Sequence, residues 1–363
     1  MNFVKKMAGA GLLAALSSAA LASPCEYVLS SYSYYMDFGY TSSAAEIAEN
    51  HPECFAGGGA SSNVTLNATA FTQVGAISRI VSSRFANTSA GPAPLASNGL
   101  AKGMAAGGQV QPWNVWASVE KNDGNHSYTS ATGNAVRGAN DVLTSVVGAD
   151  YTFSPALVAG LSAAFDKGDG WGETNGGGRN STGTDGYLIA PYLGYQLSKE
   201  LVADVTLGVG RGEFSAAGGV KAEADRWFAA TNLSFNRWLG NLQLTGKLSY
   251  MHGEEDYGNT KVGGVTQANT ATTNKLDQVR LGAQLGYWMN GVLPYAGLAY
   301  SSNVHRASDA GKDPLGRDTF VATVGINFFA MSNKVTAGLF YSQELNREHS
   351  DNQVFAGNIN LRF

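Results

Sequence analysis

The last eleven residues, Gln353 to Phe363, alternate across two faces. Phe355, Gly357, Ile359, Leu361 and Phe363 fall on one, and Val354, Ala356, Asn358, Asn360 and Arg362 on the other. Period two is the repeat of a strand. The apolar face ends on a carboxy-terminal aromatic, which suits a last strand that closes a membrane barrel against its first. Closure removes the sheet edge and pairs backbone groups that lipid cannot solvate. From Pro112 onward the same alternation predicts strands near 113–121, 142–153, 156–166, 184–198, 200–214, 223–238, 242–254, 274–289, 291–303, 316–329, 333–345 and 352–363. That is twelve, an even number, as bacterial single-chain barrels require.

The connections alternate too. Ser154-Pro155, Ser198-Lys199, Leu239-Gly240-Asn241, Asn290-Gly291 and Ser332-Asn333 read as tight turns, with Asn-Gly the strongest hairpin signal. Between them, Asp166 to Gly183 and Glu254 to Thr273 read as long polar loops. The strand faces agree with a wet interior. Leu242, Leu244, Leu248 and Tyr250 oppose Gln243, Thr245, Lys247 and Ser249; Val279, Leu281 and Leu285 oppose Gln278, Arg280 and Gln284. Tyr192, Tyr195, Trp227, Trp238, Tyr250, Tyr287, Trp288, Tyr295 and Tyr300 lie near strand ends, where interface girdles form.

Ahead of the strands the texture differs. Leu66, Ala70, Val74, Ile77, Val81 and Phe85 recur every three or four residues, which predicts a helix carrying Arg79 and Arg84 near its carboxyl end. Asn87 to Gly108 is an Ala-, Gly-, Ser- and Pro-rich linker. At the amino terminus, Lys5 and Lys6, a short apolar run and Ala20-Leu21-Ala22 form a secretory signal with cleavage expected after Ala22. The predicted organisation is therefore a signal peptide over 1–22, a short cysteine-containing segment over 23–63, a helical linker over 64–86, a flexible linker over 87–112 and a barrel over 113–363. The fold class is all-β: a twelve-stranded antiparallel transmembrane barrel with an amino-terminal helical linker and a short disulfide-bearing extension.

Export bears on Cys25 and Cys54, the two cysteines of the chain: an oxidising compartment predicts a disulfide between them. The formal net charge of −4 offers no basic footprint for nucleic acid. His252-Gly253-Glu254-Glu255-Asp256 is the densest titratable run and reads as a solvated acidic loop, without metal-ligand spacing. Gly170 to Gly178 reads as a flexible loop, lacking the Lys and the context of a phosphate loop. No nucleophile elbow appears, so neither an enzyme nor a cofactor is expected. Asp204, Lys247, Asp277 and Arg280 are the candidate lumen-facing charges, with Asp204 and Asp277 as partners for the helix cations.

Short motifs then fall in a recognisable order. Asn114-Val115-Trp116-Ala117 opens the first strand, and Gly148-Ala149-Asp150-Tyr151 lies in the second. Pro191-Tyr192-Leu193-Gly194-Tyr195 lies in the fourth, Pro294-Tyr295-Ala296-Gly297-Leu298-Ala299-Tyr300 in the ninth, and Phe363 ends the chain. From about Trp113 to Phe363 the chain resembles the autotransporter β-domain, the translocator of type V secretion. That resemblance implies a Gram-negative outer-membrane location, contact with outer-membrane lipid, and delivery to the barrel-assembly machinery through a carboxy-terminal strand ending at Phe363. It also implies a pore threaded by a helical linker, and Leu66 to Phe85 has the place and length for one. Family members usually carry a long repetitive passenger, whereas about forty residues precede this helix. The function expected is a barrel that translocates or displays a very short amino-terminal segment. The alternative is a porin-like channel or structural outer-membrane protein with a helical plug.

Overall fold

Alternation over this many consecutive segments allows a sheet that is apolar on one side and polar or small on the other. The chain forms it from twelve long strands. In order these are β1 (Trp113–Thr129), β2 (Ala135–Ser154), β3 (Leu157–Thr174), β4 (Asn180–Gln196), β5 (Leu201–Ala216), β6 (Val220–Leu239), β7 (Leu242–Tyr257), β10 (Thr272–Tyr287), β11 (Val292–Arg306), β12 (Asp318–Ala330), β13 (Val335–Leu345) and β14 (Ser350–Arg362). Two-residue strands β8 (Lys261–Val262) and β9 (Val265–Thr266) ride on β6 in the connection after β7. The structure, a computed structural model, describes residues 75–78, 81, 112–129, 135–175, 179–266, 271–306, 315–330 and 335–362. The signal peptide, Cys25, Cys54, most of the expected helix, Arg79, Arg84, the linker over 87–111 and Phe363 lie outside the described residues.

Every long strand pairs antiparallel with its neighbour, and β1 pairs with β14 from Asn114↔Arg362 to His126↔Ser350. The sheet is closed. With an even number of long strands, Trp113 and Arg362 sit on one rim, and that rim carries the tight turns. Asn290-Gly291 is one of them: both residues have positive φ, 48° and 94°, as a two-residue hairpin turn of the mirror-image type requires. β7 and β11 end, and β10 and β12 begin, at the opposite rim.

Two expected loops are strands. β3 continues through Asp166 to Thr174, and β4 begins at Asn180, so most of the predicted loop from Asp166 to Gly183, including Gly170, is sheet. The acidic run at His252–Asp256 is likewise the end of β7, paired with both β6 and β10. Polar composition there reflects a wall that projects past the membrane, not the end of the sheet. Strands of 16–20 residues in β2 to β7 exceed the ~9–11 needed to span a bilayer.

The outer face defines the span. On β4 it runs Tyr187, Ile189, Leu193, Tyr195, and on β12 Phe320, Val324, Phe328, all exposed. Eight residues at ~3.3 Å each, with the ~40° tilt of a barrel strand, give a belt ~20 Å tall. Above it a charged collar begins: Lys121 bridges Asp123 and Asp141 at 3.1 and 2.9 Å, and Arg211 meets Asp225 at 3.1 Å. Tyr195, Trp227, Tyr250, Tyr287 and Tyr300 are girdle residues as expected. Tyr192, Trp238, Trp288 and Tyr295 are not; their strand parity turns them inward, where Tyr192 and Trp288 are buried.

Candidate functional site: the lumen

Inward-facing positions are the even residues of β1 to β6 and the odd residues of β7. At the tight-turn rim they form a polar knot across the seam. Asn114 of β1 donates to Asp150 of β2 at 3.1 Å, and the Tyr192 hydroxyl of β4 donates to the same carboxylate at 2.8 Å. Trp116 Nε1 donates to the Tyr192 oxygen at 2.9 Å. Arg362 of β14 adds an attractive charge to Asp150. The last described residue of the chain is thus tied electrostatically to β2 across β1.

The middle of the lumen is apolar and filled. Val146, Ala164, Leu188, Ala190, Phe228 and Met251 project inward from five different strands. An open pore of this size would leave such side chains wet. Instead they form one buried cluster with Ala76, Ile77 and Val81, each 0% exposed. Residues 75–78 and 81 are helical. Ile77 and Val81 stand four apart, one above the other on a single helix face. The described part of the expected helix therefore packs on the inner wall.

Nearer the long-loop rim lies a charged group. Arg226 of β6 faces Glu255 directly across to β7 and is hydrogen-bonded to it through Nε; Nη1 reaches Asp166 of β3 at 3.1 Å. All three side chains are at most 3% exposed. The Tyr257 hydroxyl also hydrogen-bonds Glu255. To reach β3 from β6, the guanidinium must lie flat across β4 and β5. Gly186 and Gly212 make that possible: a Cβ on either would come within 2.3 or 2.2 Å of it. Glu120 of β1 is 0% exposed, so its level of the lumen is filled as well.

The sequence-predicted charges divide. Asp204 faces inward, accepts a hydrogen bond from Asn232 at 2.7 Å and is attracted by Lys247. Lys247 and Arg280 share the inward parity of buried Gln243 and Asn274 and are half-buried. Asp277 is a correction. It has the parity of Val279 and exposed Leu281, so it faces outward, where the Tyr250 hydroxyl donates to it at 2.6 Å and His252 Nδ1 lies 2.8 Å away. Trp227 stacks against His252 at 4.8 Å, which puts this cluster at the upper edge of the lipid belt. Sequence reading assigns Glu255 and Asp166 to polar loops and gives Arg226 no role. The available signal was that alternation continues without a break through Tyr257 on β7 and through Gly168 on β3. Among the described residues no group of three His, Cys, Asp or Glu side chains stands where it could share a metal ion.

No family model matches this sequence, and no curated protein matches it. Solved structures do match. The translocator domain of the autotransporter NalP from Neisseria meningitidis aligns at a TM-score of 0.52 and 16% identity over 73% of this chain and 93% of that one. The β-domain of the Bordetella autotransporter BrkA aligns at 0.53 and 13% over 69% of this chain and 100% of that one. The barrel has the translocator-domain fold. The transport unit of AIDA-I from Escherichia coli gives the same result, at 0.54 and 13% over 75% of this chain and 98% of that one. The translocator-type barrel found here corresponds to nearly the whole of each of those domains. At such low identity the likeness is one of fold, and what the lumen does has to be argued from its own residues.

Proposed function

We propose that this protein is an outer-membrane autotransporter-type translocator that carries a very short amino-terminal segment, residues 23–63, to the outer side of a Gram-negative envelope. The observation that carries the reading is the complete burial of Ala76, Ile77 and Val81 against the inner wall. Tight turns mark the periplasmic rim of bacterial barrels, so the chain enters β1 at Trp113 from the periplasm. A helix over 64–86 rises ~34 Å, about one membrane thickness. Seated in the lumen, it separates residues 23–63 from Trp113 by the width of the bilayer. The linker over 87–112 is long enough to return from the helix to β1.

Charge supports the same reading. From residue 55 to residue 112 the chain contains Arg79, Arg84 and Lys102 and no acidic residue. The inner wall of the barrel holds buried carboxylates at Glu120, Asp150, Asp166 and Asp204. A cationic linker complements such a wall. The barrel-assembly machinery, reached through β14 and Phe363, and outer-membrane lipid are the partners of this reading, which involves no cofactor and no catalysis. In the competing reading the helix is only a plug, and 23–63 has no fate outside the cell.

One experiment separates them. Cys25 and Cys54 are the two cysteines of the chain, and we take them to be joined by a disulfide. A membrane-impermeant thiol reagent applied to intact cells should label the protein only after an impermeant reductant is added. Labelling that appears only once the outer membrane is permeabilised would contradict display. Labelling without reductant would contradict the disulfide alone.

A further inference from the structure

On the outer surface of the barrel, a group of polar and aromatic side chains stands where the lipid belt gives way to the charged collar. Asp277 of β10 is at its centre. The Tyr250 hydroxyl donates to Asp277 Oδ1 at 2.6 Å, and His252 Nδ1 lies 2.8 Å from the same oxygen. The imidazole packs in turn on Trp227 of β6, with ring centroids 4.8 Å apart. Ala229 lies directly opposite His252 in the β6–β7 ladder and carries only a methyl group. The three rings therefore rise around a low floor, and Trp227 and Tyr250 keep 41% and 42% of their surface exposed.

Asp277 is held differently from its neighbours on the collar. Lys121 serves Asp123 and Asp141, Lys221 serves Glu213, and Arg211 serves Asp225. Asp277 is gripped instead by a phenol and an imidazole. Both contacts fall on Oδ1, so among the described residues Oδ2 remains available as an acceptor, on a side chain 19% exposed. The β10–β11 register shifts between Asp277 and Gln278. Bulges of this kind re-aim side chains and are over-represented beside functional sites. Two residues along the same outward face, Lys275 is half-exposed. It meets Glu254 at 2.9 Å, and an ammonium has two further hydrogens to donate.

We propose that this patch binds the sugar-phosphate headgroup of an acylated glycolipid in the outer leaflet. Tight turns mark the periplasmic rim, so the opposite edge of the belt lies at the headgroup level of the outer leaflet. A Gram-negative envelope presents acylated amino-sugar phosphates there. Rings with an apolar body and a polar tip settle at that level. The apolar face of a sugar ring packs on Trp227 and Tyr250 above Ala229. A ring hydroxyl or amide N–H donates to Asp277 Oδ2, a charge-assisted bond, and the Lys275 ammonium donates to the phosphate. A glycerophospholipid offers no sugar ring to the aromatic faces, and its phosphate meets Asp277 as a like charge. The proposal rests on the orientation of the barrel and not on display: surface labelling reports residues 23–63, and lipid retention reports the outer wall, so the two fail separately.

The test titrates the full mature chain, in detergent, with purified lipid A and separately with phosphatidylglycerol, and counts bound lipid by native mass spectrometry. Lipid A should half-saturate the protein at a concentration about fivefold or more below that of phosphatidylglycerol. Asp277→Leu, which removes the acceptor, and Ala229→Phe, which fills the floor, should each abolish that preference. Ala117→Phe, the same change on the outer face of β1, should leave it intact. Equal retention of the two lipids by the unaltered chain would overturn the proposal and leave the patch an ordinary part of the aromatic girdle. So would a preference that survives in either Asp277→Leu or Ala229→Phe. Heat-modifiable mobility establishes that each variant is a folded barrel, and either one decides the matter if the other does not fold.

Discussion

Arg226 shows how the residues of this wall depend on one another. A single buried guanidinium faces two buried carboxylates, Asp166 and Glu255, and reaches the first only because Gly186 and Gly212 leave no side chain in its way. Removing one member of a buried ionic group leaves uncompensated charge, at a cost of about 3–5 kcal/mol. Arg226→Met should lower the urea midpoint of the barrel accordingly, whereas Gly212→Val, which displaces the guanidinium by crowding, should cost about 1–3 kcal/mol. An unchanged midpoint in both would mean that the group contributes nothing to the fold. Parity made some of these charges legible. Asp204, Lys247 and Arg280 lie inward as their alternation predicts. Asp277 does not, and its own sequence neighbours Val279 and Leu281 already carry the outward parity. Glu255 reads as part of a solvated loop because a dense acidic run looks like one when its pairing partners are unknown, and Arg226 has no inward carboxylate nearby in sequence to mark it.

At the scale of elements, period two identified all twelve long strands and placed the Asn290-Gly291 turn. It failed at the strand ends, where β2 starts at Ala135 rather than near 142 and β3 runs to Thr174 rather than near 166. Beyond the belt both faces of the wall meet polar surroundings, so the apolar half of the alternation disappears while the hydrogen-bonded ladder continues. Proximity to a strand end does not say which face an aromatic occupies, and Trp288 and Tyr192 serve the interior rather than the girdle. The closing element is β14, paired with β1 over thirteen residue pairs. Its apolar outer face carries Phe355, Ile359 and Leu361, and in the sequence Phe363 continues the same alternation. Deleting Phe363 should reduce the amount of heat-modifiable barrel recovered from the outer membrane several-fold, because the apolar alternation of the closing strand then ends one aromatic short. Equal yield and mobility would show that closure does not need this residue.

At the scale of the whole molecule, two facts meet. The barrel is closed and apolar outside, and Ala76, Ile77 and Val81 of the chain ahead of it are buried against the inner wall. Neither could be read from composition, and the second could be anticipated only because a helical period stands ahead of a flexible linker of suitable length. The central claim is that the helix occupies the pore. The most direct measurement compares the planar-bilayer conductance of the full mature protein with that of a chain beginning at Gln109. If the helix fills the lumen, the shortened barrel conducts about threefold more or better, because the space it held is opened to water. Equal conductance from the two proteins would place the helix outside the barrel and contradict the account.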